Sequence, residues 1–311
     1  MRSISLAIVL SALPAWSAPK PAPRLCSPQK GFSRFEVAVL GSGGPSAAGR
    51  AASSYLVFID GIARILVDVG PGAFVRMGEM DIDPTALDLV LLTHLHIDHA
   101  GDVPGFVKSR DLSSNQPLTF HFYGPEDGGE YPSTSEFIDR LFADEAAFGY
   151  LAKFRNQLQL IATDLPSQAD APVHEVFREG DLRITSIAVD HDDVPALAFR
   201  IEHAGRALVF SGDLASKNDN LARLAKGADL LVYDTSVLDP PGSPEHLYDL
   251  HTAPHRIGEV ANEAGVKSLL LSHIPPQVDK NKAAVLTSIK KAFKGTARFV
   301  DDCRRIDLTR P

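Results

Sequence analysis

Three histidines and two aspartates fall within residues 93–102. Imidazole and carboxylate groups are the ligands that borderline-soft divalent cations such as zinc prefer. If this segment is a loop leaving a strand, His94 and His96 can converge on one ion, while Asp98 and His99 can turn toward a second. The alternative is a solvated polar loop in which three histidines lie close by chance. So many ligand types in one short block favour a metal site.

The elements that position this loop are predicted from hydrophobic patterns. The apolar run Leu89–Leu92 indicates a buried strand directly before the loop. Further strands are predicted at 35–40, 54–59, 64–70, 118–125, 182–189, 195–202, 206–210, 229–235 and 268–271. Helices are predicted at 136–148, 215–226 and 253–264, and another beginning at Val103. Repeated strand and helix units with polar residues at strand ends predict a layered α/β fold with its function at one edge.

The segment His94-Leu95-His96-Ile97-Asp98-His99 resembles the His-x-His-x-Asp-His signature of the metallo-β-lactamase superfamily. The resemblance implies an α/β fold of one domain, a four-layer αββα sandwich with metals at one edge of two sheets. It also implies a third histidine, a bridging aspartate and a last histidine, each at a strand end. His191, Asp213 and His273 occupy such positions, and their order and context favour ligands over structural residues.

The resemblance divides these ligands between two ions. It assigns His94, His96 and His191 to one metal and Asp98, His99 and His273 to the other, with Asp213 as the bridge. Two Zn²⁺ ions are favoured by the nitrogen and oxygen ligands, and Mn²⁺ is an alternative. A water molecule bound in such a centre loses a proton near pH 7 instead of about 15.7, so a shared hydroxide is the expected nucleophile.

The C-terminal half indicates which branch of the superfamily the chain resembles. Asp234-Thr235, His251 and the Leu-Ser-His run ending at His273 resemble the ribonuclease Z and arylsulfatase-like branch, and true metallo-β-lactamases lack the bridging Asp213. This resemblance places His251, Asp234 and Asp98 in the catalytic group. His251 would contact the scissile phosphate or sulfate or protonate the leaving oxygen, with Asp234 orienting it. Thr252 departs from the pattern of that branch, and the alternative is that His251 only starts a helix.

Asp68 is an acidic residue inside a run of aliphatic residues. A buried carboxylate must be hydrogen-bonded or lie near a cation. The superfamily carries a Leu-x-Asp-x-Gly element here, whose acid braces the metal loop. The alternative is a strand-end aspartate that faces water. The turn 41–45 is rich in glycine, but it lacks a phosphate-binding motif and supports the resemblance only modestly.

Charge and chain length restrict the substrate. The chain of 311 residues has a net charge of −8, which disfavours broad binding to nucleic acid. Ribonuclease Z grips tRNA with an arm between its third-histidine and bridging-aspartate motifs, whereas a single predicted hairpin joins His191 to Asp213. A small anionic ester, either a phosphodiester or a sulfate ester, is therefore expected, and tRNA is not. Alternatives are a lactone, thioester or β-lactam hydrolase, or a metal-binding protein without turnover.

The N-terminus resembles an export signal, because a short apolar run after Arg2 ends at Pro14 and small residues follow. We expect a signal peptide at 1–17, a linker at 18–34 and the hydrolase domain at 35–311, in a periplasmic or secreted protein without membrane insertion. The alternative is a disordered or buried N-terminal helix. Cys26 and Cys303 could pair in an oxidising compartment or remain free thiols. Homodimer formation stays open, as does the role of 125–171 in substrate selection.

Overall fold

The computed structural model describes residues 26, 33–46, 48–113, 117–151 and 158–309. The predicted signal peptide and most of the predicted linker lie outside this part of the chain. No helix within the described residues is long and apolar enough to cross a membrane.

Two seven-stranded sheets form the centre of the molecule. The first contains β1 (Phe35–Gly41), β2 (Ser54–Ile59), β3 (Ile62–Val67), β4 (Leu89–Leu91), β5 (Leu118–Pro125), β6 (Leu158–Leu165) and β14 (Arg304–Asp307), in the order β14-β1-β2-β3-β4-β5-β6. The second contains β7 (His174–Glu179), β8 (Leu182–Val189), β9 (Ala196–His203), β10 (Arg206–Phe210), β11 (Leu230–Asp234), β12 (Ser268–Ser272) and β13 (Thr296–Phe299), in the order β13-β12-β11-β10-β9-β8-β7.

Helices cover the outer face of each sheet. Those of the first half are α1 (Ala73–Glu79), α2 (Ile97–Ala100), α3 (Val103–Leu112) and α4 (Thr134–Phe142). Those of the second half are α5 (Asn220–Leu224), α6 (Leu247–Leu250), α7 (Pro254–Ala264), α8 (Pro276–Lys280) and α9 (Lys282–Ala292). One apolar cluster lies between the sheets, and one lies under the helices on each side. The predicted αββα sandwich is therefore confirmed.

Strand β2 shows why the central strands are apolar on both faces. Tyr55 and Val57 pack between the sheets, whereas Leu56 and Phe58 pack under the helices of the first half. Successive side chains of a strand point to opposite faces, so a strand covered on both sides must be apolar throughout.

Strand direction brings the polar strand ends together. β3 and β4 run parallel to each other, as do β10, β11 and β12. β8 has the same direction as β10, because each pairs antiparallel with β9. The carboxyl ends of the strands that carry the predicted ligands therefore meet at one edge of the sandwich.

Two predicted helices are shorter than expected. The helix predicted at 215–226 forms only as α5, because Ser216 adopts a positive φ of 53° and its hydroxyl contacts Tyr233 and Thr252. The helix predicted at 136–148 begins at Thr134 and ends at Phe142, where Ala143 turns to an extended ψ of 160°.

A disulfide joins the two ends of the described chain. Cys26 pairs with Cys303, with their Cα atoms 5.4 Å apart, which decides the question that the sequence left open. Cys303 lies in the turn between β13 and β14, and its backbone N–H donates to the carbonyl of Val39 in β1 at 2.7 Å. The disulfide thus fastens the N-terminal segment to the first sheet.

Candidate active site

All seven predicted ligands meet at the shared edge of the two sheets. The loop after β4 and the short helix α2 supply four of them, and the ends of β8, β10 and β12 supply the rest. They are His94, His96, Asp98, His99, His191, Asp213 and His273. Every one except His96 is buried.

The first cluster consists of three histidine nitrogens. His96 Nδ1 lies 3.0 Å from His94 Nε2 and 3.4 Å from His191 Nε2. The other ring nitrogens point away from the cluster: His191 Nδ1 donates to the carbonyl of Leu250 at 2.8 Å, and His96 Nε2 lies 3.1 Å from the hydroxyl of Tyr131. These outer contacts fix which nitrogens face inward, as in metal-binding histidines.

The second cluster combines carboxylates with imidazoles. His273 Nε2 lies 3.0 Å from Asp98 Oδ2 and 3.2 Å from Asp213 Oδ2, and His99 Nε2 lies 3.4 Å from Asp213 Oδ1. Asp213, His94 and His99 also lie close enough together to hold one metal ion, because their ligand atoms lie within 4.8 Å of one another. Asp213 therefore lies between the two clusters, as a bridging carboxylate must.

The site passes a test for fit to divalent metal. His99 Nε2 is buried and makes no hydrogen bond to any described residue, although it faces two carboxylates. A buried polar atom without a partner is costly, and a cation between imidazole and carboxylate would satisfy it. The converging oxygen and nitrogen atoms also match the ligand preference of zinc.

The charge states of His94, His191 and Asp213 suit metal binding. Burial lowers the pKa of His191 to about 4 and that of His94 well below its usual value, so both imidazoles are neutral with free lone pairs. Burial favours the neutral form of Asp213, but the imidazoles of His273 and His99 outweigh it and hold the pKa of Asp213 well below its usual range. Neutral imidazole and ionised carboxylate are the forms that bind metals. Burial lowers the pKa of His99 and His273, but the carboxylates that they face outweigh it and raise both values, so metal binding there must displace protons.

Asp68 makes the bracing contacts expected of it. This residue is buried, and one of its carboxylate oxygens accepts a hydrogen bond from the backbone N–H of Thr93 at 2.7 Å. The other oxygen lies 2.8 Å from His99 Nδ1. Asp68 thus holds the start of the metal loop and leaves His99 Nε2 free to face the second cluster.

His251 and Asp234 form a close pair beside the clusters. His251 Nδ1 donates to Asp234 Oδ2 at 2.6 Å and lies 3.9 Å from Asp213 Oδ2. Burial lowers the pKa of His251, but the Asp234 carboxylate outweighs it and raises the pKa to about 9. The His251 side chain is 12% exposed, so it is a partly accessible imidazolium at the edge of the site. It follows the end of α6 and lies three residues before α7 begins at Pro254, and its catalytic role stays a prediction.

Sequence reasoning missed three residues that shape the site. The hydroxyl of Ser236 donates to Asp234 Oδ1 at 2.5 Å and contacts His273 Nδ1. Tyr131 contacts His96 from a turn before α4. A Cβ atom on Gly44 would lie 2.6 Å from His273 Cε1, so only glycine fits there. The glycine-rich turn at 41–45 was the one available signal among these, but it could not show what the turn packs against.

Acidic residues lie near Tyr131, which contacts His96. A separate cavity of about 270 Å³, which none of the seven ligands lines, has Asp127, Asp190, Asp192 and Asp193 in its wall. Burial raises the pKa of Tyr131, and the negative charges of Asp193 and Glu130 raise it further.

Fold and site together define a metallo-β-lactamase-fold hydrolase, and comparisons with known proteins agree. Residues 63–274 match the Beta-lactamase superfamily domain, and the chain belongs to this superfamily. Ribonuclease Z of Mycobacterium sp. (strain KMS) is 31% identical over 295 residues, which cover 88% of this chain and 96% of that protein.

Solved structures show the same fold. The metallo-β-lactamase fold protein YhfI from Bacillus subtilis has a TM-score of 0.64 and 25% identity, covering 88% of this chain and 98% of that one. Human tRNase Z, short form, has a TM-score of 0.69 and 20% identity, covering 88% of this chain and 100% of that one.

Proposed function

We propose that this protein is an exported binuclear zinc hydrolase that cleaves a small phosphodiester. The observation that carries the proposal is the position of Asp213 between the two ligand clusters, with the His251–Asp234 pair at its side. One ion would be held by His94, His96 and His191, the other by Asp98, His99 and His273, and both by Asp213. The two zinc ions would supply a hydroxide nucleophile at neutral pH and stabilise charge on the ester oxygens.

The side chains around the clusters supply the proton chemistry. His251 donates its Nδ1 proton to Asp234, so its Nε2–H is the group available to protonate a leaving oxygen. Asp234 orients the imidazole and keeps it charged through the raised pKa. Asp98 would act both as a ligand and as the carboxylate that orients the attacking water.

Several features support a small phosphodiester over tRNA. The net charge of −8 disfavours a polyanion more than a singly charged ester, since binding nucleic acid requires many cations that neutralise phosphates. The only connection between β9 and β10 is the tight turn at Ala204-Gly205, so the chain between His191 and Asp213 is a simple hairpin. The curated relatives are called Ribonuclease Z, and a tRNA precursor therefore belongs among the test substrates.

The disulfide supports the proposal of export. Cys26 and Cys303 are paired, and such bonds persist mainly in oxidising compartments such as the periplasm. Fractionation of cells that express the full chain tests this proposal. We expect an oxidised, shortened protein in the periplasm or medium, and reduced, full-length protein in the cytoplasm would contradict it.

A parallel assay tests the activity. The purified protein is offered bis-p-nitrophenyl phosphate, p-nitrophenyl sulfate, a lactone, a cephalosporin and a tRNA precursor, while its bound metal is measured. We expect about two zinc ions per chain and the highest kcat/KM on the phosphodiester. The highest kcat/KM on the sulfate would change the substrate class, and one on the lactone or cephalosporin would overturn the role given to His251.

A further inference from the structure

Ser236 occupies a position between the two functional parts of the site. It follows Asp234 by two residues after the end of β11, and its side chain is buried. We propose that Ser236 is a positioning residue that couples the metal ligand His273 to the proton donor His251 through Asp234. This proposal rests on the proposed function, because it assigns His273 to the second ion and His251 to the leaving oxygen.

The contacts of Ser236 form a continuous chain across the site. Its hydroxyl lies 2.5 Å from Asp234 Oδ1 and in hydrogen-bond contact with His273 Nδ1. The other carboxylate oxygen of Asp234 accepts the Nδ1 proton of His251 at 2.6 Å. Asp234 therefore contacts His251 directly through one carboxylate oxygen, and it contacts His273 indirectly, through the Ser236 hydroxyl, at the other.

The direction of each hydrogen bond follows from the chemistry of the partners. His273 Nε2 faces Asp98 and Asp213, so Nε2 must keep its lone pair for metal and Nδ1 must carry the proton. The Ser236 hydroxyl then accepts a hydrogen bond from His273 Nδ1–H and donates its own hydrogen to Asp234 Oδ1. The carbonyl of His273 is the other acceptor near this hydroxyl, at 3.1 Å, but Asp234 Oδ1 is closer, at 2.5 Å.

Removing the hydroxyl would disturb both ends of the chain. His273 Nδ1 lies 3.4 Å from Asp234 Oδ1, so without Ser236 the ring can regain a partner only by turning toward Asp234. That rotation would move Nε2 away from the second ion. It would also place two imidazoles on one carboxylate, which weakens the hold of Asp234 on His251.

The test compares Ser236→Ala and Ser236→Thr with Ser243→Ala. Ser243 is the matched control. Its hydroxyl accepts a hydrogen bond from the backbone N–H of Leu238. It also contacts the side chain of Gln277, which in turn contacts the backbone carbonyl of Ser236. It makes no contact with the predicted ligands. Zinc affinity of the second site is measured by chelator competition without substrate. Turnover is measured on methyl p-nitrophenyl phosphate and methyl phenyl phosphate, which differ in how much their leaving oxygen needs a proton.

We expect Ser236→Ala to weaken the second zinc by roughly 10- to 100-fold, the usual effect of losing a partner of a metal ligand. Its kcat should fall further on the phenyl ester than on the p-nitrophenyl ester. Ser236→Thr should restore both quantities, and Ser243→Ala should match the wild type. If Ser236→Ala has the zinc affinity and leaving-group dependence of Ser243→Ala, the coupling role is wrong while the proposed function stands. A wild type with fewer than two zinc sites overturns both.

Discussion

The two halves of the active site are built in different ways. His94, His96, Asp98 and His99 come from one loop and the helix α2 that continues it, so sequence proximity alone brings them together. His191, Asp213 and His273 come from three separate strand ends of the second sheet and depend on the whole fold. The local half therefore needs support only for its one loop, whereas the dispersed half needs each of three strand ends to be held in place.

The supports of each half reflect this difference. In the local half, the single residue Asp68 holds both the loop backbone and the His99 ring. In the dispersed half, the glycine-rich turn packs against His273 through Gly44. The carboxylate of Asp302 joins that turn to Ala51, accepting from the backbone N–H groups of Ser42 at 3.0 Å and Ala51 at 2.8 Å. Asp302 thereby supports the turn that packs against His273.

Asp213→Ala is the change with the largest expected effect, because it removes the residue that both halves share. The second ion should be lost and turnover on a phosphodiester should fall to the background rate, while the chain stays folded. Metal analysis, circular dichroism and kinetic assays check this. A variant that keeps two zinc ions and measurable turnover would show that Asp213 is not the bridge.

His251→Ala should leave both halves intact and affect only proton transfer. We expect unchanged zinc content and a fall in kcat of roughly 10²- to 10⁴-fold, the usual contribution of a general acid. Steady-state kinetics at saturating zinc measure it. Turnover equal to that of the wild type would remove His251 from the catalytic group.

Asp68→Ala and Gly44→Ala separate the two halves directly. Loss of Asp68 frees the His99 ring and the loop backbone, so zinc affinity should fall roughly 10- to 100-fold. Gly44→Ala should displace the His273 ring, because the added Cβ would lie 2.6 Å from its Cε1. Gly78→Ala is the control, because an added Cβ there would meet nothing within 4 Å and Gly78 has no positive φ. Equal zinc affinity in the Gly44 and Gly78 variants would contradict the packing argument.

Loss of the disulfide should have the smallest effect on activity. Cys26 and Cys303 are separated by 277 residues, and removing a native disulfide typically costs about 2–4 kcal/mol of unfolding free energy. We expect Cys26→Ser with Cys303→Ser to lower that free energy in urea denaturation, with kcat/KM unchanged at 25 °C. An unfolding free energy equal to that of the oxidised wild type would show that the bond adds no stability.

The sequence predicts the local half of the site best. His94 to His99 lie within one short segment, and Asp68 is recognisable as an acid in an apolar strand. His191, Asp213 and His273 were found only through the order of ligands in a resembling superfamily, because nothing local separates them from ordinary strand-end residues. Gly44, Tyr131 and Ser236 escaped prediction since their roles come from contacts between distant segments.

The same distinction applies to the fold. Central strands such as β2 and β11 were predicted because strands buried on both faces are apolar along most of their length. The four edge strands β6, β7, β13 and β14 were not among the predicted strands. Their side chains are largely exposed or only partly buried, so polar residues interrupt the pattern. Helix α5 was predicted too long, because the hydrogen bonds of Ser216 to Tyr233 and Thr252 are tertiary contacts.

Zinc titration of the metal-free protein tests the central claim most directly. Hydrolysis of bis-p-nitrophenyl phosphate is followed as zinc is added in steps below and above two equivalents. Two interlocked clusters that share Asp213 predict that full activity is reached at about two zinc ions per chain. Full activity at one equivalent, or in the presence of a strong chelator, would contradict the account.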